Sequence, residues 1–241
     1  MTVLESLSRG NVTPAAGWRK QDWAYEQIRE WILAGELKPS QRVDQEQLAA
    51  VLGISRIPLR EGLARLISEG WVSGQPHRRL IVSELSLSDA KDVYGGRQAV
   101  EAMLAEAAAR NAKPSSLAKV RDVLDRQREV LTQGAANDIQ RLDRAFHTGI
   151  YELAGMPKTL AVATNLYSMS ERYVRLYLGD QERIDVSFHE HEAIYHAVEK
   201  GDTYAARKLT EQHIDRGLEV LECRLLRPQP EGPLPALAVN G

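Results

Sequence analysis

Asp143 and His147 are four residues apart, which sets both side chains on the same side of a helix. They flank the apolar stripe Ile139, Leu142, Phe146, Ile150 and Leu153, so both turn toward a helical interior. His191 shares an apolar face with Ile194, Tyr195 and Val198, and His213 stands beside Leu209 and Gly217. Three helices can thus converge one carboxylate and three imidazoles. That donor set suits Zn(II), Ni(II) or another borderline divalent ion, with positions left for water or a ligand. A second reading fits the same pattern, in which the histidines are hydrogen-bonded core residues. His189 and His196 do not share the face of His191 and read as structural or solvated. Arg97 also carries two readings. Its guanidinium can clamp a carboxylate through two parallel hydrogen bonds, or it can pair with Glu101 one turn on. Arg172 and Arg175 read as solvated or ion-paired. No HExxH motif accompanies the cluster, so a metal-dependent hydrolase would have no positioned base.

A second stretch able to do chemistry is Leu52–Gly70. Gly53 can enter a left-handed turn, Ser55 can cap the helix that follows, and Pro58 falls in its first turn. Leu59, Leu63, Leu66 and Ile67 make one apolar face, Arg56 and Arg60 lie one turn apart off it, and Gly70 closes the helix. Upstream, a helix is predicted from Asp22 to about Ala34, with Ala24, Ile28, Trp31 and Ile32 as its stripe. Asp44 with Gln47 marks the start of a second, whose face is Leu48, Val51 and Leu52. Downstream, Trp71–Ser73 and Leu80–Val82 read as strands around a hairpin with a basic tip, His77, Arg78 and Arg79. Three helices and a basic hairpin make a winged helix-turn-helix whose third helix suits the major groove. Between Ser55 and Arg79 five arginines face two glutamates, in a chain whose net charge is −2. That asymmetry suits a local DNA-facing patch and excludes a wholly basic nucleic-acid coat.

The expected fold is mainly α, with an N-terminal winged helix-turn-helix and a C-terminal all-α antiparallel bundle. Residues 1–21 read as a flexible arm, 22–85 as the DNA-binding domain, 86–227 as the bundle and 228–241 as a flexible tail. Bundle helices are expected over about 88–111, from Pro114, over 138–154, 158–178 and 186–200, and from Gly201-Asp202 to about Leu226. Cys223 is the only cysteine, so neither an intrachain disulfide nor a thiolate zinc cluster can form. No run approaches the roughly 20 apolar residues of a membrane helix and no apolar signal core opens the chain, so a cytoplasmic location is expected.

The stretch GELKPSQRVDQEQLAAVLGISRIPLREGLARLISEGWV resembles the DNA-binding domain of the GntR family of bacterial transcriptional regulators, over about Tyr25 to Val82. The resemblance implies operator recognition by Arg56 and Arg60, assisted by wing residues His77 and Arg78. Ser55 and Arg79 stand at the same surface. This chain departs from the family at Ile57, where threonine is common, at Gly62, where alanine is usual, and at Arg79, where a wing glycine is usual. Gly62 for alanine reads as a loss of about 1 kcal/mol in helix propensity. DRAFHTGIYELAG, HEAIYHAVEKGD and EQHI resemble the FCD effector domain of the FadR-type branch. In its metal-binding members the positions matching Asp143, His147, His191 and His213 are the ligands. The resemblance then implies a homodimer on a palindromic operator, a small carboxylic acid as effector and Arg97, in YGGRQAVEAM, as its contact. It implies a regulator, expected to be a repressor and not an enzyme. The alternative within that frame is a regulator for which the metal itself is the signal.

Overall fold

A computed structural model describes residues 17–74, 79–133, 136–174, 176 and 180–226. The chain divides into two compact units, one ending at Leu85 and the other beginning at Ser86.

The first unit contains α1 (Lys20–Leu33), β1 (Arg42–Val43), α2 (Gln45–Leu52), α3 (Arg56–Ser68), β2 (Val72–Ser73) and β3 (Leu80–Val82). The strands form an antiparallel sheet in the order β1-β3-β2, with Val43 opposite Leu80 and Val72 opposite Val82. Two residues are too few to show alternation, which is why β1 leaves no trace in the sequence pattern. Asp44 caps α2 by accepting from the backbone N–H of Glu46 and Gln47 at 3.0 and 3.1 Å. Gly53 ends that helix with φ 61°, a conformation open to glycine at no steric cost. Ser55 takes the N-cap position of α3, yet its hydroxyl makes no capping hydrogen bond. The apolar face expected for α3 is buried, with Leu59, Leu63 and Leu66 joining Trp23, Ile28, Trp31, Leu48 and Trp71 in one core.

Gly62 has a packing role that propensity does not show. A Cβ built on it would lie 2.9 Å from the Gln21 carbonyl oxygen and 3.0 Å from the Tyr25 nitrogen, both backbone atoms of α1. The glycine therefore lets α1 and α3 approach closely, and what reads as a lost helix former is the contact between two helices. A buried carboxylate fixes the same pair of helices. Glu69 accepts from the Tyr25 hydroxyl at 2.5 Å, from Arg65 Nε at 2.9 Å and from the Trp71 indole N–H at 3.3 Å. The Arg65 guanidinium lies 3.7 Å from the centre of the Tyr25 ring.

The second unit contains α4 (Leu87–Asn111), α5 (Pro114–Gln133), α6 (Ala136–Glu152), α7 (Pro157–Val174), α8 (Gln181–Glu199) and α9 (Thr203–Leu226). Helix α4 runs along α9 and α7, α5 packs on α6 and α8, and α8 packs on α9. Close approach is possible where side chains are small. A Cβ on Gly217 of α9 would stand 3.2 Å from the Tyr94 ring of α4. Ser86 caps α4 by accepting from Asp89 N–H. Helix α8 begins at Gln181 rather than at the expected Val186, because Asp180 caps it by accepting from Arg183 N–H at 3.2 Å. The added turn is mostly polar, so it has no apolar period to announce it, and it carries Arg183 into the bundle. No helix among the described residues is long and apolar enough to cross a membrane.

Candidate functional site

Asp143 and His147 on α6, His191 on α8 and His213 on α9 meet inside the bundle. The three imidazole centres are 4.9, 5.1 and 4.9 Å apart, and each ring offers a nitrogen within 4.8 Å of the others. Asp143 places its Oδ1 3.6 Å from His191 Nε2 and its Oδ2 3.9 Å from His147 Nε2. All three histidines are buried, and Phe146 stacks on His191 at 4.3 Å.

The outer nitrogens are committed. His147 Nδ1 meets the Tyr151 hydroxyl at 3.1 Å, His191 Nδ1 meets Gln127 Oε1 at 3.3 Å and His213 Nδ1 meets Glu190 Oε2 at 2.7 Å. The inner nitrogens of His147 and His191 are buried and have no hydrogen-bond partner among the described residues. A core histidine kept for its hydrogen bonds would satisfy both ring nitrogens. These rings instead hold one nitrogen in an outer shell and turn the other, bare, toward Asp143. That is the arrangement a bound cation requires, including the carboxylate behind His213 that fixes a ligand's orientation. The donor set therefore fits a divalent metal.

Protonation follows the same logic. Burial pushes His147 and His191 well below the usual imidazole range, and the neighbouring imidazoles and arginines push the same way, so both rings present a lone pair. Burial raises Asp143 against the Tyr167 hydroxyl, which donates to it at 2.5 Å. At Glu190 burial pulls upward, but the bonds from His213 and Arg216 and the charge of Arg183 overcome it and hold the carboxyl at about 2.

Arg97 is buried in the same wall, and of its two readings the ion pair is the one formed. Its Nε and Nη2 donate to the two Glu101 oxygens at 2.7 and 3.3 Å, and its Nη1 donates to Ser170 Oγ at 3.1 Å. Glu101 also accepts from the Tyr151 hydroxyl at 2.8 Å, which links Arg97 to His147 through two side chains. Arg97 still lines the cavity beside the histidines, which encloses about 60 Å³. That space holds a few waters or a small organic anion.

Sequence patterning missed Gln127, Tyr151, Tyr167, Arg183 and Glu190. Tyr151 stands four residues after His147, so helical spacing alone could have found it. Nothing in the sequence singles out Gln127, Arg183 or Glu190, which reach the site from α5 and α8. His189 and His196 are solvent-exposed and each meets a glutamate of its own helix. Arg172 is not solvated: it is buried, paired with Asp89 and set against the Tyr173 ring. Arg175 lies outside the described residues.

In the first unit Arg56 and Arg60 are exposed at the N-terminal half of α3. Arg56 forms an ion pair with Glu46 of α2. Ile57 between them is 71% exposed. Arg79 is exposed just before β3, while His77 and Arg78 lie outside the described residues. Arg65, counted in the basic excess, lies half-exposed over the Tyr25 ring and pairs with Glu69, which offsets its charge, so the net charge of this surface is smaller than a count of arginines implies.

A winged helix followed in sequence by an all-α bundle with a buried polar pocket is the build of a one-chain transcriptional regulator. Residues 20–82 match the gntR family of bacterial regulatory proteins and residues 92–216 match the FCD domain. The chain belongs to the GntR family, with an FCD domain as its second part, and it is a transcriptional regulator of that type. It is 30% identical over 208 residues to a helix-turn-helix transcriptional regulator in an unstable DNA locus of Streptomyces ambofaciens, covering 86% of each chain. It is 23% identical to the Escherichia coli transcriptional repressor RspR, covering 79% of this chain and 83% of RspR. Its fold resembles that of E. coli McbR/YncC with a TM-score of 0.74 at 20% identity, over 86% of this chain and 99% of that one.

Proposed function

We propose that this protein is a ligand-responsive repressor whose operator affinity is set by a small carboxylic acid held at a divalent metal in the FCD domain. The observation that carries the metal half is the pair of buried, unpartnered Nε2 atoms of His147 and His191 facing Asp143. Asp143, His147, His191 and His213 are the proposed ligands, and zinc or nickel suits three imidazoles and one carboxylate. When bound, the metal supplies a positive centre for a carboxylate oxygen. Tyr151, Gln127 and Glu190 orient the three imidazoles, and Tyr167 holds Asp143. Arg97, already neutralised by Glu101, contributes direction more than net charge to an acid in the cavity.

On DNA, Arg56 and Arg60 are proposed to read base edges from α3, with the free hydroxyl of Ser55 at the backbone and His77, Arg78 and Arg79 acting from the wing. Binding releases Arg56 from Glu46. Two copies on successive half-sites make the operator near-palindromic. The acid acts by binding one arrangement of the dimer better than another, and it shifts operator affinity by that difference. The likeness to RspR supports the repressor assignment.

The test combines metal analysis of purified protein with binding to a duplex selected from a random pool. Expected results are about one metal per chain and release of the duplex by small acids only when the metal is present. Release driven by metal addition alone, with acids inert, would replace this reading with direct metal sensing. Protein that carries no metal and responds to acids after His147→Ala/His213→Ala substitution would refute the metal site.

A further inference from the structure

The cavity beside the histidines has a buried amide in its wall that the proposed metal site does not use. Gln140 stands three residues before Asp143 on α6, on the same side of the helix, and it lines the cavity. Its amide nitrogen is buried and has no hydrogen-bond partner among the described residues. Three other polar side chains of that wall are engaged: Arg97 on Glu101, Arg183 on Glu190 and the Gln127 oxygen on His191. A buried amide donor left unmet is costly, and such groups in native proteins are ordinarily satisfied by a partner or a ligand.

We propose that Gln140 is the specificity-determining residue of the effector pocket, donating to a second acceptor oxygen on the bound acid. The inference rests on the metal-held carboxylate proposed above. Three residues of helix rise about 4.5 Å, so the second acceptor sits roughly one turn from the Asp143 end of the pocket. That is the span of a short acid bearing a hydroxyl or a second carboxylate. Around it Leu131, Ile139, Ile184 and Phe188 supply apolar wall against which the carbon skeleton of a short acid can pack. A simple monocarboxylate would set methyl groups against the amide and leave it unmet, so the pocket selects against it.

Calorimetric titration of the zinc-loaded full chain with malonate, lactate and propionate tests this assignment. Wild type is expected to bind malonate or lactate at least about tenfold more tightly than propionate. The better binder of the two distinguishes a second carboxylate from a hydroxyl as the preferred acceptor. Gln140→Leu, which fills the same space without a donor, is expected to bring the three affinities within about twofold by losing the tighter ones. Gln140→Glu is near-isosteric and is expected to weaken malonate most, by like-charge repulsion; it also serves if the leucine variant fails to fold. Zinc affinity, read by chelator competition, reports that each variant keeps its site. Discrimination that persists in both variants would overturn the role of Gln140. If wild type holds zinc but binds none of the three acids, the effector reading itself fails and this inference with it.

Discussion

The buried Glu69 predicts a large and separable stability effect in the DNA-binding unit. Glu69→Leu fills the space but leaves the Tyr25 hydroxyl and the Trp71 indole N–H inside the core without an acceptor. Each stranded donor costs about 1–3 kcal/mol. Arg65 is half-exposed and can turn to water, so its lost ion pair adds little. The expected cost is therefore about 2–6 kcal/mol. All four tryptophans, Trp18, Trp23, Trp31 and Trp71, precede Ser86, so tryptophan fluorescence of the full chain reports this unit selectively. With a urea slope of about 1–3 kcal/mol/M, the fluorescence midpoint should fall by roughly 1 M or more. Tyr25→Phe alone should cost about 1.5–3 kcal/mol, the worth of a hydrogen bond to a charged group, and much less once Glu69 is gone. The cycle should give a coupling of about 1–3 kcal/mol. Glu69→Leu within about 0.5 kcal/mol of the parent, or additive single effects, would refute the brace. The same contact has a pH signature. Burial and Glu69 raise the Tyr25 hydroxyl above its ordinary value, so the folded unit keeps a proton that the unfolded chain gives up above about pH 10. Stability of this unit should be fully present below that pH and fall as pH rises past it, with a shallower fall in Tyr25→Phe.

Arg60→Ala should weaken binding to a selected duplex by about 1–3 kcal/mol and relax its sequence preference, as electrophoretic mobility shifts across duplex variants would show. An unchanged preference would remove α3 from the groove. Glu190→Gln should lower metal affinity about 10–100-fold by loosening His213, measured by chelator competition. Unaltered affinity would make that carboxylate structural. Chelation should lower the melting point of the bundle followed by far-ultraviolet circular dichroism while leaving the tryptophan transition in place. A shift of the tryptophan transition alone would put the metal in the wrong unit.

The metal-ligand candidates were legible because helical spacing is local. Asp143 and His147 share a face by four-residue periodicity, and His191 and His213 sit on the apolar sides of their own helices. Spacing left open whether Arg97 clamps a ligand or pairs with Glu101, since both geometries begin from the same helix face. Packing decided it, by burying the two together with Ser170 and Tyr151 around them. The N-terminal helices and the pairing of β2 with β3 were equally open to the sequence, because caps, glycine stops and apolar stripes act over a few residues. Strand β1 and the first turn of α8 were not, since one is too short and the other too polar to leave a period.

The sequence by itself determined the helices, their buried faces and the membership of the chain in its family, all properties of short-range pattern and of motif. Only the tertiary structure decided which nitrogen of His147 and of His191 is left unpartnered, which carboxylate orients His213, that Arg65 lies over Tyr25 and pairs with Glu69, and that Gly62 is a helix contact. Those depend on atoms brought together from separate helices, and no periodicity along one helix encodes what the neighbouring helix places against it.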